Sequence, residues 1–136
     1  MMSDEMSSFE LNVAIAKAQG YRMDIVTVQH HGTFWQITFP DERTRWVCDK
    51  DKHEKYAWGR ALEDGWIADH ANDANEALEL VASRDDFRLS RDGNEWAVVI
   101  GNQWDDHATI YSYRHEEAAY AISRAWLSWI TAQVSA

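Results

Sequence analysis

Apolar residues recur at helical spacing in three segments of the chain, residues 7–20, 73–83 and 115–133. In the first segment, Ser7 and Glu10 have the spacing of a capping box, and Gly20 supplies the stop. In the second, Asp73 stands where a helix N-cap is expected. The pattern therefore predicts three amphipathic helices.

Two other regions have the pattern of antiparallel strands. Residues 24–30 and 33–39 are rich in β-branched and aromatic residues and meet at Gly32, which predicts a hairpin. Residues 87–90 and 95–100 flank an Asp-Gly turn, and residues 107–113 alternate as a third strand after a wider turn over 101–106. The first group predicts a two-stranded hairpin, and the second predicts a three-stranded meander.

The order of these elements indicates the fold class. Strand pairs joined by short turns, separated by helices, are typical of an α+β protein with a mostly antiparallel sheet and helices packed on its faces, a helix–sheet–helix sandwich. The predicted order is α-β-β-(irregular)-α-β-β-β-α, in which residues 41–71 form a long irregular region with one short helix around 52–63. A chain of 136 residues is expected to form a single domain, residues 1–136.

Composition narrows the cellular setting. The longest strongly apolar run is residues 97–100, far below the ~20 residues that a membrane span needs. Acidic Asp4, Glu5 and Glu10 stand where a secretory signal would be basic and then apolar. The single cysteine, Cys48, fits a reducing compartment. We expect a cytoplasmic protein that does not bind membranes.

The negative charge is concentrated in one third of the chain. The formal net charge is -10, and residues 61–106 hold twelve Asp and Glu but only three Arg. Such a segment disfavours direct contact with a phosphate backbone and attracts basic protein surfaces. Solubility alone is the alternative explanation for these acids.

Eight tryptophans are a second unusual feature. Trp35, Trp96, Trp126 and Trp129 fall on predicted apolar faces and are expected in the core. The other four lie in irregular, charged surroundings, where exposed tryptophans are typical of protein interfaces. Packing in a smaller satellite core is the alternative explanation for each of them. These four are Trp46, Trp58, Trp66 and Trp104.

Three segments of the chain are similar to the small bacteriophage proteins grouped as the phage ABA sandwich domain. They are residues 11–21 (LNVAIAKAQGY), residues 72–81 (NDANEALELV) and residues 116–127 (EEAAYAISRAWL). The resemblance implies a phage or prophage origin and a helix–sheet–helix sandwich. It implies no particular chemistry.

These observations lead to a first functional hypothesis, a non-enzymatic phage accessory protein. We expect it to bind a host protein with a basic surface and to inhibit a defence or nucleic-acid-binding protein, as an anti-CRISPR or a DNA mimic would. The exposed edge of a small sheet and the spare tryptophans permit a symmetric homodimer. The predicted partner-binding residues are Glu63, Asp64, Asp69, Asp85, Asp86, Asp105, Asp106, Trp58, Trp66 and Trp104.

Two alternatives remain open at this point. The chain could bind or sequester a small nucleotide-like ligand through Arg43, Arg45, Trp46, Trp58 and Arg60, which combine stacking surfaces with cations. It could also be a metal-dependent hydrolase built on Asp105, Asp106 and His107. We expect no cofactor and no structural metal, because Cys48 and His53 lack a second ligand pair at zinc-site spacing.

Overall fold

The computed structural model describes residues 6–84, 86–101 and 110–135 of the chain. Within these ranges the chain forms four α-helices and six β-strands. In chain order they are α1 (Ser8–Ala18), β1 (Arg22–Val28), β2 (Gly32–Thr38), β3 (Thr44–Asp49), α2 (Glu54–Glu63), α3 (Ala74–Glu79), β4 (Phe87–Asp92), β5 (Glu95–Ile100), β6 (Tyr111–His115) and α4 (Ala118–Ser135). The protein is α+β with antiparallel sheets, as the sequence predicts.

The chain divides into two compact units. The terminal unit combines Met1–Ile15 with Asp69–Ala136, and the middle unit is Ala16–Ala68. The boundary between Ile15 and Ala16 falls within α1. The expectation of one domain over residues 1–136 stays a prediction.

The terminal unit contains a three-stranded sheet in the order β4-β5-β6, and α4 packs against β5 and β6. Alternate residues of the strands face the helix, so that Val98 and Ile100 are fully buried while Arg88 and Ser90 are exposed. The core also takes in residues from α1, α3 and α4. Its buried members include Leu11, Ile15, Ala77, Val81, Val98, Ile100, Tyr120, Ile122 and Trp126.

The middle unit contains the second sheet, in the order β1-β2-β3. β1 pairs with β2 over seven regular positions, from Arg22 opposite Thr38 to Val28 opposite Gly32. The pairing of β2 with β3 shifts register between Trp35 and Gln36, which marks a β-bulge. Helix α2 contacts all three strands, and the side of the sheet that bears Met23, Trp35 and Ile37 is buried.

Several sequence predictions are confirmed and others are wrong. The helices predicted at residues 7–20 and 115–133 are present, as are both hairpins and the short helix near 52–63. The helix predicted at 73–83 is present but shorter, since it ends at Glu79. Residues 44–49 were expected to be irregular but form β3, and the strands belong to two sheets instead of one. Local alternation predicts strands but carries no information on which strands pair.

The third strand of the terminal sheet also differs from its prediction. It runs from Tyr111 to His115, later than the expected 107–113. The first part of that expected strand and the turn over 102–106 lie outside the described residues. None of the helices within the described ranges combines the length and the apolar character needed to cross a membrane.

Candidate functional site

The two acidic residues that the sequence predicts at a partner surface in the middle unit lie at the end of α2. Glu63 and Asp64 are both exposed. The Arg60 guanidinium donates a hydrogen bond to Asp64 over 3.3 Å, one helical turn away. Asp64 therefore has an intramolecular partner, and Glu63 offers the more accessible charge of the two.

Asp69 lies in an internal polar network instead of on an open acidic surface, which corrects its predicted accessibility. Its Oδ1 accepts hydrogen bonds from Asn12 Nδ2 at 2.7 Å and from Asn72 Nδ2 at 3.0 Å. Asn12 is 1% exposed, and its Oδ1 accepts from the backbone N–H of Ala71 at 2.8 Å. The Asp69 carboxylate thus holds a turn of the terminal unit in place.

Asp86 is a second acid with a structural partner. It forms a two-point ion pair with Arg84, at 2.8 Å from Nε and 2.6 Å from Nη2. The side chains are only 18% and 23% exposed, and the Arg84 guanidinium stacks on Trp129 at 3.9 Å. Asp86 is therefore largely neutralised. Asp85, Asp105, Asp106 and Trp104 lie outside the described residues, as does His107.

Trp58 was expected on the surface, and this expectation is wrong. The residue is 2% exposed, because Ala57, Trp58 and Ala61 form the buried side of α2. Its indole N–H donates to Glu54 at 3.2 Å, and Glu54 in turn pairs with Lys17 at 3.6 Å. Trp58 can serve neither a protein interface nor a stacked ligand. Trp66 is partly exposed.

The residues of the predicted nucleotide-like site do not converge. Arg43 pairs with Asp41 at 2.7 Å and stacks on Phe39, and the hydrogen bond from the Arg43 backbone N–H helps to lower the Asp41 pKa. Arg45 and Trp46 are neighbours in β3 and therefore point to opposite faces of the sheet. The groove of about 250 Å³ beside Arg60 is lined by Tyr56, Gly59 and Glu63, and not by the other residues predicted for the nucleotide-like site, Arg43, Arg45, Trp46 and Trp58.

Trp46 is the tryptophan that the structure leaves most open among the described residues. It is 58% exposed, on the face of the middle sheet opposite to Trp35 and Ile37. Its ring lies 6.4 Å from that of Phe34 on the neighbouring strand. Phe34 is directly opposite Val26, and cross-strand partners share a face.

These side chains form one apolar patch across the sheet. We call Val26, Val28, Phe34 and Trp46 the Trp46 patch. Val28 is 40% exposed, and Val26 and Phe34 are partly exposed. An exposed cluster of apolar side chains is a candidate interaction site.

No protein family model, curated protein or solved structure matches the chain. The site must therefore be interpreted from its own residues.

Polar residues surround the Trp46 patch. Asp24 precedes Val26 by two positions in β1, and Asp49 lies opposite Phe34 in β3, so both share the patch's face. Both are exposed, and no ion pair among the described residues includes them. An apolar centre with a charged rim is the usual organisation of a protein interface.

Net charge is distributed unequally between the two units. The middle unit has eight Lys and Arg and eight Asp and Glu, whereas the terminal unit has five Arg and fifteen Asp and Glu. The whole net charge of -10 therefore belongs to the terminal unit. The acidic region 61–106 crosses the boundary between the two units at Ala68 and Asp69. The sequence alone did not indicate that its acids are divided between two units.

The described residues contain no group of three His, Cys, Asp or Glu placed to share a metal ion. Cys48 is buried, and burial raises the pKa of its thiol. A buried thiol with a raised pKa is a poor nucleophile at neutral pH.

Three members of the Trp46 patch were missed by sequence reasoning. Val26, Val28 and Phe34 were assigned to strands, but no surface role was considered for them. The sequence feature that could have identified them is the presence of two neighbouring apolar residues in each strand, Ile25-Val26 and Phe34-Trp35. Because neighbouring strand residues face opposite sides, such pairs indicate a sheet with apolar residues on both faces.

Proposed function

We propose that this chain is a non-enzymatic binding protein whose partner is a protein with a basic surface. The observation that carries the proposal is the Trp46 patch, an exposed aromatic centre on the open face of the middle sheet. Tryptophan is enriched among the residues that contribute most to protein interfaces. Asp24 and Asp49 beside the patch favour a partner with basic residues around an apolar centre.

The charge of the terminal unit supports the same class of partner. A unit with net charge -10 accelerates encounter with basic surfaces over distances of about one Debye length, roughly 8–10 Å at moderate salt. Glu79, Glu116 and Glu117 are exposed, and none of the ion pairs among the described residues includes them. These three acids are the side chains to neutralise in a test of long-range attraction.

The phage accessory role belongs to this proposal. Proteins that bind nucleic acid do so through Lys and Arg surfaces. An acidic protein that covers such a surface competes with nucleic acid for it. This is the mechanism by which the chain would inhibit a host defence or nucleic-acid-binding protein.

The experiment is capture from a nuclease-treated bacterial lysate with the tagged full-length protein. Three baits are compared, the unsubstituted chain, Trp46→Ala, and Tyr56→Ala as a matched control. Tyr56 is an aromatic residue of α2 that is 48% exposed and lies outside the Trp46 patch. The proposal expects basic proteins that are retained by the unsubstituted chain and by Tyr56→Ala, lost with Trp46→Ala, and released by high salt.

Two outcomes would contradict the proposal. One is equal capture by Trp46→Ala and the unsubstituted chain. The other is a set of captured proteins with no basic surface and no response to salt. Loss of capture with Tyr56→Ala alone would place the interface on α2 instead.

The nucleotide-like ligand and the hydrolase remain weaker hypotheses. Trp58 is buried, and Arg43 and Arg60 have carboxylate partners, so no observation specifically favours a nucleotide site. The proposed hydrolase residues lie outside the described part of the chain. A panel of nucleotides that leaves the tryptophan fluorescence unchanged would set the ligand hypothesis aside.

A further inference from the structure

Strand β1 is an open edge of the middle sheet. The strand order is β1-β2-β3, so among the described residues β1 has a paired neighbour on one side only. Five of its seven residues are exposed, including Ile25 at 52% and Val28 at 40%. The backbone N–H and C=O groups that point away from β2 can be satisfied either by water or by another strand.

β1 carries two charged side chains, Arg22 and Asp24, but lacks the other features by which proteins usually protect an edge. It contains no proline and no lysine, and its pairing with β2 is regular over all seven positions. The other edge, β3, is different, because a β-bulge interrupts its pairing with β2 between Trp35 and Gln36. A bulge bends a strand and increases its twist, which disfavours pairing with a further strand.

The sequence of β1 is compatible with pairing to itself. In the antiparallel register that uses all seven residues of both strands, Ile25 lies opposite Ile25 of the second copy. Asp24 lies opposite Val26, and Met23 opposite Thr27. No like charges are directly opposite one another in this register, so the paired strands do not repel each other electrostatically.

Charge also indicates how two copies can approach. The middle unit is balanced at eight cationic and eight anionic side chains, whereas the terminal unit carries the whole charge of -10. Two copies of the chain therefore repel through their terminal units and not through their middle units. Added salt screens that repulsion.

We infer that a second copy of this chain pairs with β1, antiparallel and centred on Ile25, to give a symmetric dimer with a continuous six-stranded sheet. Trp46 lies on β3, two strands from this edge, or about 10 Å at the usual strand spacing. Val26 and Val28 of the Trp46 patch lie on β1 itself, but pairing at the edge extends the sheet in its own plane and leaves the face that bears the patch uncovered. Self-association and binding of a basic partner are then separate properties of the molecule.

The experiment measures the molar mass of the full-length protein by sedimentation, up to about 100 µM, which is well above the dissociation constant of a micromolar dimer. The expected result is a concentration-dependent dimer that becomes tighter as salt is raised. Binding of a basic partner should become weaker with salt, so the two proposals can fail independently. A monomer at every concentration and salt level would overturn the inference.

Two substitutions test the register. Ile25→Lys places two cations opposite each other at the symmetry axis and should raise the dissociation constant at least about tenfold. Leu78→Lys is the matched control, since Leu78 is an aliphatic residue of the terminal unit with 40% exposure. A dimer that survives Ile25→Lys, or one that is lost with Leu78→Lys, contradicts pairing through β1.

Cross-linking covers the case in which Ile25→Lys impairs folding. Residues directly opposite on antiparallel strands have Cβ atoms about 4.5–5.5 Å apart, close to the separation of a disulfide. Ile25→Cys should therefore form an intermolecular disulfide on mild oxidation, whereas Leu78→Cys and the unsubstituted chain, with its buried Cys48, should not. Absence of a disulfide in a dimeric Ile25→Cys protein would overturn the proposed register.

Discussion

Asn12 offers a stability prediction whose size follows from two hydrogen bonds. Its carboxamide accepts from the buried backbone N–H of Ala71 at 2.8 Å and donates to the Asp69 carboxylate at 2.7 Å. Asn12→Ala removes both bonds. The Ala71 N–H, in a residue that is 1% exposed, is left without a partner, and Asp69 loses one of its two amide donors.

The expected loss follows from the cost of each lost bond. An unsatisfied buried N–H costs about 1–3 kcal/mol, and a hydrogen bond to a charged group contributes about 1.5–3 kcal/mol, with the lower end applying to a part-buried carboxylate. Asn12→Ala should therefore lower the free energy of unfolding by about 3 kcal/mol. For a chain of this length the midpoint of thermal unfolding should fall by roughly 10 °C.

Urea unfolding followed by circular dichroism measures this loss, with Asn72→Ala as the matched control. Asn72 donates to the same Asp69 oxygen at 3.0 Å, but it is exposed. Its replacement should change the stability by less than about 0.5 kcal/mol. Equal effects of the two substitutions would refute the assignment of Asn12 as the buried centre of the network.

Asn12→Asp adds a pH test of the same contact. The new carboxylate keeps an acceptor for Ala71 but faces Asp69 across the short contact that now holds a hydrogen bond. Two such carboxylates raise one another's pKa in the folded state. The folded protein then binds more protons than the unfolded chain, so the variant should be destabilised at pH 7 and should regain stability as the pH falls toward about 4. A pH profile parallel to that of the unsubstituted chain would contradict the contact.

Three further outcomes follow from the middle unit and the β4–β5 hairpin. Trp58→Ala should lower the free energy of unfolding by about 3–5 kcal/mol because it leaves a cavity in a buried site. Trp46→Ala should change it by less than about 1 kcal/mol, since Trp46 is exposed. Equal losses of the two variants in urea unfolding would contradict the burial of Trp58. Gly93→Ala should cost about 1 kcal/mol, because Gly93 has φ +65° and open space around it, so that backbone strain alone opposes the methyl group. A stability change near zero would show that the turn relaxes. The Cys48 thiol should react with a thiol reagent at pH 8 only after the protein unfolds. Because burial raises the pKa of this thiol in the folded state, stability should decline as the pH rises above the pKa of the thiol in the unfolded chain, near 8.5. Rapid labelling of the folded protein would contradict its burial.

Local patterns predicted most of the elements because each has a strong sequence signal. The apolar stripe of α4 and the Asp-Gly turn between β4 and β5 are examples. β3 was missed because its signal is weak. Only Val47 and Cys48 of its six residues are buried, and charged residues stand among its apolar ones.

The candidate site was harder to predict because it depends on contacts between distant residues. Asp69 is held by Asn12, which is 57 positions away, so no local pattern indicates that its charge is internal. Trp58 follows a run of charged residues, but the spacing of Ala57, Trp58 and Ala61 marks the buried side of a helix. Trp46 is exposed, which agrees with one of the two interpretations of its charged surroundings, but it lies in β3 instead of an irregular region. Its neighbours in the Trp46 patch come from strands whose pairing the sequence does not specify.

The central claim is that the Trp46 patch is a protein interface, and the affinity of Trp46→Ala tests it most directly. A tryptophan side chain can bury about 200 Å², so covering the 58% that is exposed is worth about 3 kcal/mol, or roughly 100-fold in affinity. The measurement is the dissociation constant, by calorimetry, of a basic protein captured with the full-length chain. The account predicts a loss of about this size for Trp46→Ala and a change below about twofold for Tyr56→Ala. Equal affinities of the unsubstituted chain and Trp46→Ala would contradict it.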